Sequence, residues 1–440
     1  MNSQMKRIIL ALALGVLSAG KTCAEGTTNA PALLTLADAQ KIALQNHPQI
    51  AAANYRALAA QEVVKQTRAG YFPTANLYAD AVGANDEDAR ILAGGVNNPS
   101  VYDRAAGGLA VNQLITDFGR TANLTASSKF QAQAENQNAN ATREQVLLQV
   151  NVNYFGTLGA QAVLRVAQQT VDTRQLLLDQ ISLYATNKLR SELDVSFARV
   201  AVQESKLLLQ RAQNNAEDAM TSLSTALGYR DPRPFRLVET PSVILTGTND
   251  VSQLVQTALA ERPELQSLRN EQDAALRLAK SQRDARLPTV SAIGLVGDAP
   301  IHDSHLPDNY AVGGIQLSLP LFAGGLYTAR QHEAELKAQA DGELVRALGD
   351  DIVRDVHIAW LNVNNALEQL RTTEELVLNA TEAYDLAEAR YQIGSSSIVE
   401  FSQAQLSLTS AQIAEAKARC NVFIQQANLD YQTGALYRSK

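Results

Sequence analysis

A single shift of 206 positions lays the second half of this 440-residue chain over its first. It pairs Gly119 with Gly325, Tyr154 with Trp360, Lys188 with Gly394, Asp194 with Glu400, Ala198 with Ala404, Asn215 with Asn421 and Gly228 with Gly434. Self-similarity held over so long a span marks an internal duplication. Two copies are too few for a solenoid, so the chain carries one domain plan written twice. Nearer the N-terminus the shift is 215, pairing Pro48 with Pro263 and Pro73 with Pro288. The nine-residue difference therefore falls between Pro73 and Gly119. A surface loop is where such an insertion is tolerated.

Each copy reads as the same string of elements. Thr35, with Asp38 at the third helical position, caps a segment carrying Leu36, Ala39, Ala43 and Leu44. Asp250 opens its twin, with Val251, Leu254, Ala258 and Leu259. Each meets a proline, after which a second helix is predicted over 49–70 and 264–285. These end in Arg68-Ala-Gly-Tyr-Phe-Pro73 and Arg283-Asp-Ala-Arg-Leu-Pro288, and proline turns the chain towards extended structure. Extended segments follow over 74–84 and 105–116, and over 289–296 and 310–321. In the last of these Ile315, Leu317 and Leu319 share one face and Gln316 and Ser318 the other, the period of a half-buried strand. Their lengths suit tilted membrane strands. The polar stretches 85–104 and 298–309 then form exposed hairpin tips, expected to face outside the cell if the strands span the membrane.

From Arg120 to about Asn187, and again from Tyr327 to Tyr391, the pattern is helical. Leu147, Val150, Tyr154 and Leu158 set the period, and no proline occurs between Pro99 and Pro232. Such a segment is roughly 100 Å long. Returning helices are predicted over 191–227 and 397–433, paired with the long ones as in an antiparallel coiled coil. The domain plan is thus 25–228 for the first repeat, with its hairpin at 74–116, and 250–434 for the second, with its hairpin at 289–321. A linker with Pro232, Pro234, Pro241 and Gly247 occupies 229–249, and 435–440 is a tail.

The first residues read as an export signal, with Lys6 and Arg7 ahead of a short apolar core and Thr22-Cys23-Ala24 before a cut after Ala24. Cys23 invites a lipoprotein reading, but Lys21 and Thr22 stand where small residues are wanted. Cleavage leaves 35 basic residues against 45 acidic ones, a net charge of −10. That is a poor nucleic-acid binder. Only Cys420 survives, so no intramolecular disulfide forms. Beyond the signal no apolar run reaches the length of a spanning helix, so any membrane span is a β-barrel.

This duplicated order of short helix, hairpin, long helix, turn and returning helix resembles the TolC family of outer-membrane efflux channels over nearly all of the mature chain. The resemblance is carried by Pro73 and Pro288, by Leu319-Pro-Leu-Phe-Ala-Gly-Gly325, by the paired turns, and by Asn428-Leu-Asp-Tyr-Gln-Thr-Gly434. It implies a mixed α/β membrane protein in which three chains build one tube. Each would give four strands to a shared outer-membrane β-barrel and its long antiparallel helices to a hollow periplasmic α-barrel, collared by the short helices. It implies a homotrimer in outer-membrane lipid, docked by a periplasmic adaptor and an inner-membrane transporter, with no nucleic acid, cofactor, metal or catalysis. Strand count agrees, since four strands cannot close a barrel alone and free edges are intolerable in lipid.

The resemblance places the adaptor-docking turns at Lys188, Gly394 and Ser396, and the periplasmic aperture at Glu400, Gln403 and Asp194. Family examples carry a second acid where Gln403 stands, a basic residue where Ser396 stands, and a glycine where Lys188 stands. An acid just past a turn also favours a helix N-terminus, so Asp194 and Glu400 each have two readings. His302 and His305, near Asp303 and Asp308, read as a solvated loop rather than a metal site, and His357 as a packing residue. The rival readings are a periplasmic adaptor, which has one hairpin with β-rich flanks, and an exported enzyme. For the latter no nucleophile elbow, P-loop or metal-hydrolase string is present.

Overall fold

The computed structural model describes residues 32–83, 92–93, 96–97, 104–239, 250–302 and 307–436. The export signal, most of the 85–104 tip, His305 and the 437–440 end lie outside them. In chain order the elements are β1 (Ala32–Leu34), α1 (Leu36–Asn46), α2 (Pro48–Ala69), β2 (Thr74–Val82), β3 (Leu92–Ala93), β4 (Val96–Asn97), β5 (Arg104–Thr116), α3 (Arg120–Thr186), α4 (Glu192–Ala226), β6 (Phe235–Leu237), α5 (Val251–Glu261), α6 (Pro263–Asp284), β7 (Thr289–Ile301), β8 (Asn309–Ser318), α7 (Leu326–Gln392) and α8 (Ile398–Gln432).

Local chemistry sets the boundaries. The Thr35 hydroxyl accepts from the Asp38 amide at 3.2 Å, the cap that opens α1. α2 and α6 begin on Pro48 and Pro263 themselves, one residue before the predicted starts. Proline at the first helical position lacks only an N–H that would be orphaned there anyway. The His47 Nδ1 accepts from the Gln49 amide at 3.3 Å, and burial pushes this imidazole below its usual pKa.

The strands form one antiparallel sheet in the order β2-β5-β7-β8. β5 against β7 joins the two repeats, with Gly108 opposite Gly297. β7 runs on to Ile301, past the predicted end at Val296. β8 stops at Ser318 because Pro320 has no N–H for a ladder; Leu319 therefore lies beyond the strand. Within one chain the outer edges of β2 and β8 have no strand partner among the described residues. Leu77, Ile315 and Leu317 stand exposed on the sheet.

Each long helix, α3 and α7, is 67 residues, which is roughly 100 Å. α4 returns along α3 and α8 along α7, while α3 against α8 joins the hairpins. Where α4 and α8 stop, α2 and α6 take over along the same long helices. At these joints Gly228 and Gly434 adopt left-handed φ of 86° and 71°. A Cβ on Gly228 would meet the Asn46 carbonyl oxygen at 2.9 Å, and one on Gly434 the Arg262 nitrogen at 3.4 Å. Only glycine lets the helix ends approach so closely.

The stretch 229–249, expected as a linker, contains β6, which pairs in parallel with β1. Three residues are too few for a period to show. The Tyr154 hydroxyl lies 2.8 Å from the Val238 carbonyl and 3.0 Å from that of Leu34, pinning both strands to α3. Around it pack Val146, Val150, Leu158, Leu223 and Leu227, and Phe155 stacks on Phe423 of the second repeat. His357, expected in packing, is exposed in the single chain. Among the described residues no helix is long and apolar enough to cross a membrane.

Candidate functional site: the paired helical turns

The two lower turns have one construction. After α7 the Gly394 amide donates to the Tyr391 carbonyl at 3.0 Å and the Ser395 amide to the Arg390 carbonyl at 2.9 Å, with Gly394 at φ 78°. After α3 the Lys188 amide donates to Ala185 at 2.9 Å and the Leu189 amide to Tyr184 at 2.8 Å, with Lys188 at φ 59°. Both satisfy orphan carbonyls by the double bond of a Schellman cap. Lys188 holds a conformation that Gly394 adopts without strain. Lys188→Gly should steady its turn by about 0.5–1 kcal/mol, the relieved strain exceeding the added chain entropy. Slower hydrogen exchange at the Leu189 amide is the expected reading; faster exchange contradicts it.

The returning helices then start on serine. Ser191 accepts from the Asp194 amide at 3.1 Å, and the Asp194 carboxylate accepts back from the Ser191 amide at 3.4 Å. Asp194 is thus the acid of a capping box. Ser397 accepts from the Glu400 amide at 3.2 Å, but the Glu400 carboxylate turns elsewhere. It accepts from the Ser396 hydroxyl at 2.8 Å and from Arg390 Nη1 at 3.1 Å. Arg390 and Glu400 are about half exposed, so their pair contributes about 1 kcal/mol or less. Twin positions have therefore diverged: one acid closes a helix and the other presents its charge at the turn. Gln403 lies exposed one turn beyond Glu400 on the same helical face.

Behind these groups sits a small apolar core. Ile181, Val195, Tyr391, Ile398 and Phe401 are buried together, and Tyr391 stacks on Phe401 with ring centroids 5.3 Å apart. Arg190, from the first turn, donates to the Tyr391 carbonyl and holds its guanidinium carbon 4.2 Å from the Tyr391 ring. A cation over a ring adds about 1–2 kcal/mol when desolvated. Burial pushes the Tyr391 phenol above its usual pKa, with Arg190 pulling it back. Arg190 thus ties the two turns together and Arg390 holds Glu400. The sequence reading singled out neither, since a cation among turn residues has no spacing that names its partner.

Elsewhere the described residues offer little chemistry. His302 lies 2.6 Å from the Ala299 carbonyl through Nδ1 and 3.2 Å from Asp308 through Nε2, closing a hairpin end. Among the described residues no three His, Cys, Asp or Glu side chains gather as metal ligands. A groove of about 920 Å³ between α3, α4, α7 and α8 is floored by Phe155, Leu208, Ile413 and Ile424.

A family model described as outer membrane efflux protein matches residues 40–229 and 254–435, one stretch in each repeat. The chain is 24% identical over 392 residues to outer membrane protein TolC of Escherichia coli K12, covering 86% of this chain and 78% of that one. It is 25% identical over 419 residues to outer membrane protein TolC of Vibrio cholerae, covering 91% of each. Among solved structures, the Campylobacter jejuni CmeC outer membrane channel superimposes with a TM-score of 0.79 at 17% identity, covering 91% of this chain and 85% of that one.

Proposed function

We propose roles for individual residues from one premise: the chain belongs to the outer membrane efflux protein family. It is an outer-membrane exit duct of the efflux and type I secretion kind, with its helices in the periplasm. The observation that carries the reading is a four-stranded sheet with two unpaired edges, mounted on helix pairs about 100 Å long. Edges of that kind are satisfied in lipid only when further copies close the barrel. Three copies build the tube, with outer-membrane lipid around the strands. A periplasmic adaptor and an inner-membrane transporter meet its lower end. The duct binds no nucleic acid and does no chemistry of its own. Family matches in both repeats favour this over a single-hairpin adaptor. Cross-linking in native membranes should give a trimer band, and a monomer in the soluble periplasmic fraction is the contrary result.

At the lower end Lys188, Gly394 and Ser396 form the adaptor-docking turns. Glu400 supplies the charge of the aperture, Gln403 its neutral second tier, and Asp194 the cap that keeps α4 in place. Carboxylates ringed about one axis attract cations. Glu400→Gln should weaken the cation preference of single channels in planar bilayers while assembly stays intact. Asp194→Asn should change it less. Unchanged selectivity in an assembled Glu400→Gln protein places the constriction elsewhere.

A further inference from the structure

The end of α8 meets the start of α6 beside one buried carboxyl. Arg262, the residue that opens α6, is 7% exposed. Its Nη1 donates to Gln432 Oε1 at 2.9 Å and its Nε to Glu264 Oε2 at 3.3 Å. The Tyr431 hydroxyl donates to the other oxygen of Glu264 at 3.0 Å. One guanidinium, one carboxylate, one phenol and one amide thus bolt the last turn of α8 to the first turn of α6. Glu144 comes at this joint from α3. It is 3% exposed, and its Oε2 has no hydrogen-bond partner among the described residues.

The surrounding charges are few. From the α6 side Glu144 feels Glu264 and Arg262, and from α8 it neighbours Tyr431. Next to it on α3, Arg143 donates to Asn140 and to Asn54 of α2. Arg56 of α2 and Glu135 of α3 line the adjacent groove with Glu264 and Tyr431. Arg262, the cation that acts on Glu144, is already engaged by Glu264 and Gln432. A buried carboxylate left without a partner is among the most costly groups in a protein interior.

We propose that this joint is a pH-sensitive hinge: protonated Glu144 lets the end of α8 stay seated on the start of α6, and loss of that proton sets two carboxylates against one guanidinium and loosens the seat. Burial first, and then the charge of Glu264, push the Glu144 carboxyl up to about 7 from an ordinary 4.5. Between those two values the folded protein binds the extra proton. Stability at the joint accordingly falls as pH rises through that window and levels off above it.

The test uses the full-length protein in lipid nanodiscs. Hydrogen exchange, corrected for its intrinsic pH dependence, should report opening of 262–268 and 428–436 roughly tenfold more frequent at pH 8 than at pH 6. Glu144→Gln, which keeps the shape and removes the titration, should give the same opening at both. A parent and variant with the same pH response overturn the hinge. Infrared difference spectra provide a second reading. A protonated-carboxyl band should fade near pH 7 in the parent and be missing in Glu144→Gln; a parent without the band at pH 6 overturns the proposal. If Glu144→Gln does not assemble, Glu264→Gln serves instead. Removing its negative charge lifts a repulsion that opposes ionisation of Glu144 and frees Arg262 to answer it, so the fading of the band should move to lower pH; no shift, or a shift to higher pH, overturns the proposal.

Discussion

Tyr154→Ala should leave the outer membrane without assembled protein. The side chain is fully buried, its ring meets Phe155 edge-on at 5.6 Å, and its hydroxyl reaches the carbonyls of both Leu34 and Val238. Emptying a buried aromatic site costs about 3–5 kcal/mol, and a carbonyl left unpaired adds about 1–3 kcal/mol. Together these approach the roughly 5–15 kcal/mol that hold a typical fold. Losing Tyr154 also removes the hydroxyl that ties both β1 and the end of β6 to α3. Tyr154→Phe keeps the ring and gives up only the hydroxyl, about 1 kcal/mol, and should still assemble. Immunoblots of unheated outer-membrane fractions make the comparison. Normal accumulation of Tyr154→Ala contradicts the argument.

Phe401→Ala should do the reverse, sparing assembly and disabling the lower end. Phe401 is 2% exposed, stacked on Tyr391 and tilted against Tyr384. Its removal costs about 3–5 kcal/mol, but the loss falls on a small cluster a helix-length away from the strands. Local stability at an element's end is separable from the rest. The Arg190 contact fails with it, because the Tyr391 ring loses its backing. Membranes should contain assembled protein whose segments 184–193 and 391–397 are cut by added protease, and export should be lost. Protease-resistant turns with full export show that the cluster is dispensable.

How much of this was legible follows from the kind of signal each feature leaves. Prolines 48, 73, 263 and 288 and glycines 119, 228, 325, 394 and 434 act on their own backbone, so the helices and turns could be read within a residue or two. Duplication doubled each reading. The β1–β6 pair could not be read, because three residues show no period and their partners lie 203 positions apart. The same holds for Arg190 reaching Tyr391 and for Glu144 facing Arg262. Long side chains choose partners across the fold, and nothing in local spacing records the choice. Asp194 and Glu400 occupy twin positions with the same charge. Their separation into a cap and an outward acid depends on Arg390 and Ser396, whose twin positions in the first repeat hold Tyr184 and Arg190 instead.

The unequal make-up of the helix pairs has a mechanical consequence. α3 and α7 run unbroken from strand to tip, while their companions are each two pieces butted end to end at Gly228 and Gly434. An unbroken rod fixes a length. A butt joint carries compression but transmits little torque. At the level of the joints the continuous backbone is that of α3 and α7 alone, so any twist passing between the tips and the strands is carried there by two rods and not four.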